Sequence, residues 1–324
     1  LDTSFLNDVA FVRNTPQILK RYREMPWIHF VNDINLEMND SLDIILRNNS
    51  QNIQSIDYRY DIFKNTNLVY HYPTIGGNNS TRNVDVPPFF SGGLYSFNSP
   101  PVMLDNQMFP VSSADSAEFI FRNSINTSPN DYKLNDTVYH IQRFYSHFAY
   151  DDGSPESTYG INVQGAKLAY EFKLNRPDTI RMIQFKFVEM HENLEGNKFL
   201  LTIWNNNNGF PGNKIYSDTV EVRYQDRGKF NNYYLKKGVG AVGTFFIGWE
   251  QLTDDILNLG LDKNSISNVR LHLTSSIAQL EFVLNGLSNS LELPKLITLS
   301  DHENIRLGAI QRVNFVVNNM KDID

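Results

Sequence analysis

Along much of the chain, apolar and polar residues alternate with a period of two, the mark of strands with one buried face. The cleanest case is Ile56, Tyr58, Tyr60 and Ile62, interleaved with Asp57, Arg59 and Asp61. Upstream, Leu42, Ile44 and Leu46 alternate with Asp43 and Arg47, although Ile45 interrupts the polar set. Downstream, Leu168, Tyr170, Phe172 and Leu174 alternate with Lys167, Glu171 and Lys173. The pattern returns at Ile183/Phe185/Phe187, Phe199/Leu201/Ile203, Val220/Val222/Tyr224, Phe245/Ile247/Trp249 and Val269/Leu271/Leu273. Strands at such regular intervals predict an all-β fold, not a parallel sheet with crossover helices. The expectation is two β-sandwich domains, immunoglobulin-like or jelly-roll-like, with at most one or two short helices. The Ile56–Ile62 and Leu168–Leu174 sets are expected to face cores. Tyr170→Ala would then cost about 3–5 kcal/mol if the ring is fully buried.

One helix is expected near the start, with Thr15 as N-cap, Pro16 as its first residue and Pro26 at its end. Ile18, Leu19 and Tyr22 would share one of its faces. Two Asn-rich stretches, Gly76-Gly77-Asn78-Asn79-Ser80 and Asn205 to Asn208 before Gly209-Phe210-Pro211-Gly212, read as exposed hairpin tips. The Pro-rich stretch from Val86 to Pro110 reads as a long irregular crossing. The domain boundary is expected within residues 144–153, giving an N-terminal domain of residues 1–145 and a C-terminal one of residues 146–324.

Composition narrows the class. The 324 residues are a soft prior for two domains. Hydrophobic residues at 41% and aromatics at 13% suffice for packed cores and are too many for a disordered chain. A net charge of −7 with only short basic clusters, such as Lys20-Arg21 with Arg23, argues against a nucleic-acid or anionic-membrane partner. No apolar run reaches the roughly 18 residues of a membrane span, so no membrane insertion is expected. The absence of cysteine excludes disulfides, thiolate metal sites and cysteine nucleophiles. No signal peptide is visible, and the start at Leu1 is what removal of an export signal would leave.

Catalytic templates find little purchase. There is no Gly-rich phosphate loop, H-E-x-x-H helix or G-x-S-x-G elbow. His191-Glu192 and His302-Glu303 lack partners at ligand spacing, and the other histidines are dispersed. Trp27, Trp204 and Trp249 are candidates to stack on sugar rings, against the plainer reading of core or rim residues. Trp204 has opposite parity to Phe199, Leu201 and Ile203, so it is the candidate sugar platform, whereas Trp249 reads as core. The sharper cluster is Asp151, Asp152 and Glu156 around Gly153, the Tyr-Asp-Asp-Gly motif of the second domain. Oxygen-rich loops of this kind suit Ca²⁺, with backbone carbonyls or a distant acid such as Asp262 completing the shell. The competing reading is a tight turn whose carboxylates accept backbone N–H bonds.

Several pieces run in an order similar to a domain of exported Bacteroidetes proteins, many carried by the type IX secretion system. Asn135-Asp136-Thr137 is followed by Gln142-Arg143-Phe144, then by Phe148-Ala149-Tyr150-Asp151-Asp152-Gly153-Ser154-Pro155-Glu156 and Tyr159-Gly160. Ala166 to Tyr170 precedes Pro177-Asp178-Thr179, and Phe210-Pro211-Gly212 leads to Ile215-Tyr216. Phe245-Phe246-Ile247-Gly248-Trp249-Glu250-Gln251 then precedes Leu259 to Asn264. The resemblance covers Asn135 to Asn264; Ser275 to Arg306 departs from it, and Gly308 to Arg312 is again similar to its final strand. It implies a non-enzymatic, protein-interacting segment of a cell-surface, secreted or outer-membrane-associated protein, its partner lying in the secretion apparatus or on the cell surface. A resident soluble component of the type IX translocon and a cell-surface carbohydrate-binding module with a glycan partner are the alternatives. A hydrolase domain with an unseen catalytic pair is the third reading. In such bacteria O-glycans are added where Asp precedes Ser or Thr and an apolar residue follows. Ser41, Ser116, Thr137, Thr179 and Thr219 stand in that pattern, which also occurs as an ordinary turn or cap pair.

Overall fold

In the computed structural model, 56% of the chain is strand and 6% helix, so the fold is all-β. The structure describes residues 7–12, 17–77, 79–88, 94–96, 101–190, 192–226 and 229–262, together with the backbone of four later strands. Val269 and the side chains of Leu271 and Leu273 lie outside the described residues, as do His191, His302 and Gly308 to Arg312. The chain divides into two units, Leu1–Phe148 and Ala149–Asp324.

Among its described residues the first unit contains ten strands. They are β1 (Val9–Phe11), β2 (Ser41–Leu42), β3 (Ile45–Asn48), β4 (Gln54–Lys64), β5 (Asn67–Tyr72), β6 (Arg82–Val86), β7 (Leu94–Ser96), β8 (Val102–Met103), β9 (Ala117–Asn126) and β10 (Thr137–Phe144). The main sheet runs β10-β9-β4-β5, with β6 pairing the first half of β4; a second sheet is β1-β3-β7, and β2 pairs β8. Alternation in β4 does what it predicts: Ile56, Tyr58, Tyr60 and Ile62 are each 1% exposed or less. Full burial of such side chains stabilises by roughly 1.5–3 kcal/mol each. The tyrosine hydroxyls keep partners, Tyr58 donating to Asn123 Oδ1 (2.9 Å) and Tyr60 to the Met103 carbonyl (3.1 Å). Against the main sheet packs a short helix, α1 (Trp27–Phe30), whose Trp27 and Phe30 join Phe109, Phe119 and Phe144 in one aromatic core.

The expected helix from Pro16 to Pro26 is not there. Thr15 and Pro16 lie outside the described residues, and the rest of the segment is extended or irregular. Residues 17–20 run beside residues 37–39: Lys20 N–H donates to the Glu37 carbonyl (2.7 Å) and Asn39 N–H to the Ile18 carbonyl (2.8 Å). The Asn39 amide also donates to the Gln17 and Leu19 carbonyls. These long-range bonds supply what a helix would have, and Ile18, Leu19 and Tyr22 are buried without it. Pro26 starts a helix instead of ending one, standing as the N-cap of α1. A second one-turn helix, α2 (Ile34–Glu37), is capped by Asp33, whose side chain accepts from Leu36 N–H (3.0 Å).

The second unit contains β11 (Ser157–Ile161), β12 (Lys167–Phe185), β13 (Lys198–Asn207), β14 (Phe210–Glu221), β15 (Asn231–Gln251), β16 (Leu259–Leu261), β17 (Leu271–Thr274), β18 (Ala278–Leu284), β19 (Leu287–Leu293) and β20 (Leu296–Leu299). They form two sheets, β14-β13-β15-β12-β17-β20 and β16-β11-β18-β19. The Tyr159–Tyr170 ring pair, with centroids 6.3 Å apart, joins one sheet to the other. The pairing of β12 with β15 slips between Leu174 and Asp178 and again between Ile180 and Met182. Such irregularities bend a strand pair. Beyond the slips Phe185 and Tyr233 return to pack on Phe199, and Phe185 also reaches Trp249. Asn208 and Gly209, both at positive φ, form a two-residue hairpin between β13 and β14, as an Asn-Gly pair favours. Leu168 and Leu174 are buried as expected, but Tyr170 and Phe172 are only half-buried.

Candidate functional site

The acidic motif forms the turn that leads into β11. Gly153 adopts φ +91°, a conformation costly for residues with a Cβ. Asp151 Oδ1 accepts Gly153 N–H (2.9 Å), and Asp152 Oδ1 accepts both Ser154 N–H (2.9 Å) and Ser154 Oγ–H (2.7 Å). Ser154 Oγ also lies 3.0 Å from Glu156 Oε1. From across the unit, Asp262 Oδ2 accepts Asp152 N–H (2.7 Å), while Glu156 N–H donates to the Leu261 carbonyl (3.0 Å). Carboxylate oxygens of Asp152, Glu156 and Asp262 come within 4.8 Å of one another. Two oxygens facing each other across a Ca²⁺ would be about 5 Å apart, so the span fits. One oxygen from each supplies three ligands, against the roughly six to eight that Ca²⁺ takes, so bidentate binding or backbone carbonyls would have to supply the rest. Each carboxylate also already accepts an N–H or stands at a hydroxyl.

The trio expected from the sequence is thus corrected. Asp151 is outside the convergent group and Asp262, the distant acid, takes its place. The reason is local: Asp151 accepts Gly153 N–H and is half-buried, whereas Asp152 is exposed. Burial pushes the Asp151 carboxyl up, the Gly153 N–H opposes this, and the nearby Asp262 charge adds to the rise.

A second constellation joins Asp61, His71 and Ser80, which the sequence does not reveal. The β4–β5 register sets Asp61 opposite His71, with His71 Nδ1 2.6 Å from Asp61 Oδ1. His71 Nε2 lies 3.0 Å from the Ser80 carbonyl and 3.3 Å from Ser80 Oγ. The residue types are those of a hydrolytic triad, but the geometry is different. A nucleophilic serine needs Nε2 to accept its hydrogen. Here Nε2 faces a carbonyl, which can only accept. The Ser80 hydroxyl has its own acceptors in the Pro73 (2.7 Å) and Gly77 (2.8 Å) carbonyls. Asp61 is claimed in turn by Arg122, at 2.5 and 3.2 Å, and by Arg59 at 3.9 Å. Burial alone would raise the Asp61 carboxyl, but the hydrogen bonds from His71 and Arg122 hold it below its ordinary value. The arrangement is a clasp that ties Ser80 to β5 and to the Pro73 and Gly77 carbonyls.

The sugar platform expected at Trp204 is also corrected. Trp204 does face away from Phe199, Leu201 and Ile203, but it is 3% exposed and packs with Ala169 and Phe246. Ala169, which packs on the indole, pairs with Gly248 across β12 and β15. Trp27 and Trp249 are wholly buried. Among the glycosylation candidates, Ser116, Thr179 and Thr219 are exposed, whereas Ser41 and Thr137 are half-buried.

Motif residues of the second unit hold the fold together. A Cβ on Gly248 would overlap the Leu168 backbone, and one on Gly160 would meet Ile256 and the Leu257 carbonyl. Gln251 donates to the Ile161 and Asp255 carbonyls, and Trp249 Nε1 donates to Gln251 Oε1 (3.4 Å). Among the described residues, no helix is long and apolar enough to cross a membrane, which leaves membrane-spanning strands unaddressed. Compared with known proteins, the chain matches no family model and no curated protein.

Proposed function

We propose that this chain is a non-enzymatic, protein-interacting segment of a cell-envelope or secreted protein linked to type IX secretion. It would act by offering a sheet edge to an extended segment of a partner in the secretion apparatus or on the cell surface. The observation that carries this reading is β10. Among the described residues this eight-residue strand pairs only with β9, so its other edge carries no strand, and Gln142 Nε2 donates to the Arg143 (3.2 Å) and Arg23 (3.1 Å) carbonyls at its C-terminal end. Edge strands are commonly blunted with Pro, Lys or a bulge. β10 contains neither residue, and its register with β9 is unbroken from Thr137 to Phe144. Its outward face carries Tyr139, 59% exposed, and Ile141. Such an edge suits strand addition, in which main-chain hydrogen bonds supply affinity and alternate side chains supply selectivity. The residues of the type IX-like pattern Asn135-Asp136-Thr137 and Gln142-Arg143-Phe144 bracket this strand. The non-enzymatic half of the reading draws support from the Asp61–His71–Ser80 clasp, whose hydrogen bonds oppose nucleophile activation, and from motif residues that serve packing.

A pull-down from native membranes tests the proposal. The wild-type chain is expected to recover an outer-membrane translocon component or its shuttle, and Ile141→Lys is expected to lose it while keeping the wild-type melting temperature. Recovery of a translocon barrel would favour a resident component, and recovery of a shuttle protein alone would favour cargo. Equal recovery by Ile141→Lys would refute docking at β10.

A further inference from the structure

A cleft of about 510 Å³ opens in the first unit between the end of β5, the turn after α2 and residues 103–106. Its volume lies within the roughly 300–1,000 Å³ of small-molecule sites. One wall is aromatic. Tyr70 and Tyr72 are two residues apart on β5 and therefore share a face. Both are half-buried and stack with the fully buried Tyr60, at 6.0 and 5.0 Å between centroids and 20° and 4° between planes. Arg82 donates to the Tyr72 hydroxyl (3.2 Å). The rings are thus fixed before any ligand arrives.

The facing wall is mixed, with Met38, Met103 and Leu104 set among polar residues. Asn35 and Asp40 come from α2 and the turn after it, and Asp105 and Asn106 from the far side. Asn35 and Asn106 are exposed. Asp105 Oδ1 accepts Gln107 N–H (2.9 Å), which fixes that carboxylate at the cleft. Tyr70 stays a phenol: burial pushes its hydroxyl up, and the neighbouring Asp105 charge adds to this.

From this juxtaposition of a rigid tyrosine wall with amides and carboxylates, we propose that the cleft binds a neutral sugar. A pyranose has a C–H face that can lie on a tyrosine ring and a rim of hydroxyls. An amide both donates and accepts to such hydroxyls, and a carboxylate accepts from them. The two lining carboxylates oppose an anionic ligand, and the nearby cations are engaged, Lys20 lying 3.5 Å from Asp40 and Arg82 bonding the Tyr72 hydroxyl. An apolar ligand would strip water from the amides and carboxylates without replacing their hydrogen bonds. This inference is independent of the β10 edge.

Saturation-transfer NMR on the full chain provides the test, with glucose, mannose, galactose and N-acetylglucosamine and their oligosaccharides as probes and glucuronate as the anionic control. At least one neutral sugar should receive saturation at its ring C–H protons, with glucuronate weaker. Tyr70→Ala should weaken that binding tenfold or more. Because Tyr70 also belongs to the stack on Tyr60, Asn106→Ala serves as the exposed partner variant, expected to keep the wild-type melting temperature and still weaken binding several-fold. No transfer to any neutral sugar at millimolar concentration, glucuronate binding as well as the neutral sugars, or undiminished binding in both variants would each overturn the proposal.

Discussion

His140 is a built-in acid liability of the first unit. It lies on the inward face of β10, is 6% exposed and is near the Phe121 ring. Burial, aided by the Arg23 and Arg143 charges and opposed by a Gln142 hydrogen bond, pulls its imidazole down to about 3. In the unfolded chain a histidine titrates near 6.5. As pH falls below that value the unfolded state takes up a proton that the folded state refuses, so stability falls with pH. Each pH unit costs about 1.36 kcal/mol, so the loss from about pH 6.5 to 4.5 is roughly 2–3 kcal/mol. Asp61 acts in a separate, lower window. Its carboxyl is depressed in the fold, so its contribution is present above about pH 4 and is lost as pH falls through the folded value. Urea unfolding of the full chain, followed at the indole resonance of Trp27 in the first unit's core, reads the effect. His140→Leu should remove most of the slope between pH 6.5 and 4.5 and leave the fall below pH 4. Its stability at pH 7 should be within about 1 kcal/mol of wild type, because one buried polar group and its hydrogen bond disappear together. The same slope in both proteins would refute the assignment.

Other expectations are more local. Gly248→Ala should destabilise the second unit by more than about 3 kcal/mol, because the intruding methyl meets the Leu168 backbone, not a movable side chain; calorimetry showing an unchanged second transition would contradict this. Asp152→Ala, which removes the acceptor for two Ser154 bonds, should cost about 1–3 kcal/mol. Saturating Ca²⁺ followed by chelator should leave the wild-type melting temperature unchanged, whereas a Ca²⁺-dependent rise would restore a metal centre at Asp152, Glu156 and Asp262. If the chain is O-glycosylated in its native host, intact-mass and peptide measurements should place the sugars on the exposed Ser116, Thr179 or Thr219; a mass equal to the bare sequence would remove the idea.

Strand identity was legible where one face is buried. β4 carries its whole inward set in the alternation, and the Asn208-Gly209 hairpin follows from two residues. Parity failed at Trp204 because both faces of the central strands are covered there, so a residue opposite one core enters another. The early helix failed because Asn39 and Glu37, about twenty residues away, satisfy the backbone of residues 17–20. The clasp was hidden for a different reason. Asp61 and His71 are ten positions apart, and their pairing follows from the turn at Asn65 and Thr66 only when the irregularity between Ile62 and Phe63 is known. In the acidic motif, sequence could place the turn and suggest Asp262, but not which of two adjacent aspartates faces outward. That depends on a single bond to Gly153 N–H.

The proposed use of β10 is tested most directly by site-specific photo-crosslinking in the native host. A photoreactive residue at Tyr139, beside the strand-free edge, is expected to capture a protein of the secretion apparatus or cell surface. The same residue at Tyr234, 73% exposed on β15 of the other unit, should not capture it. Capture of one protein from Tyr139 that disappears on adding Ile141→Lys is the predicted result. No capture from Tyr139, or equal capture from both positions, would contradict docking at this edge.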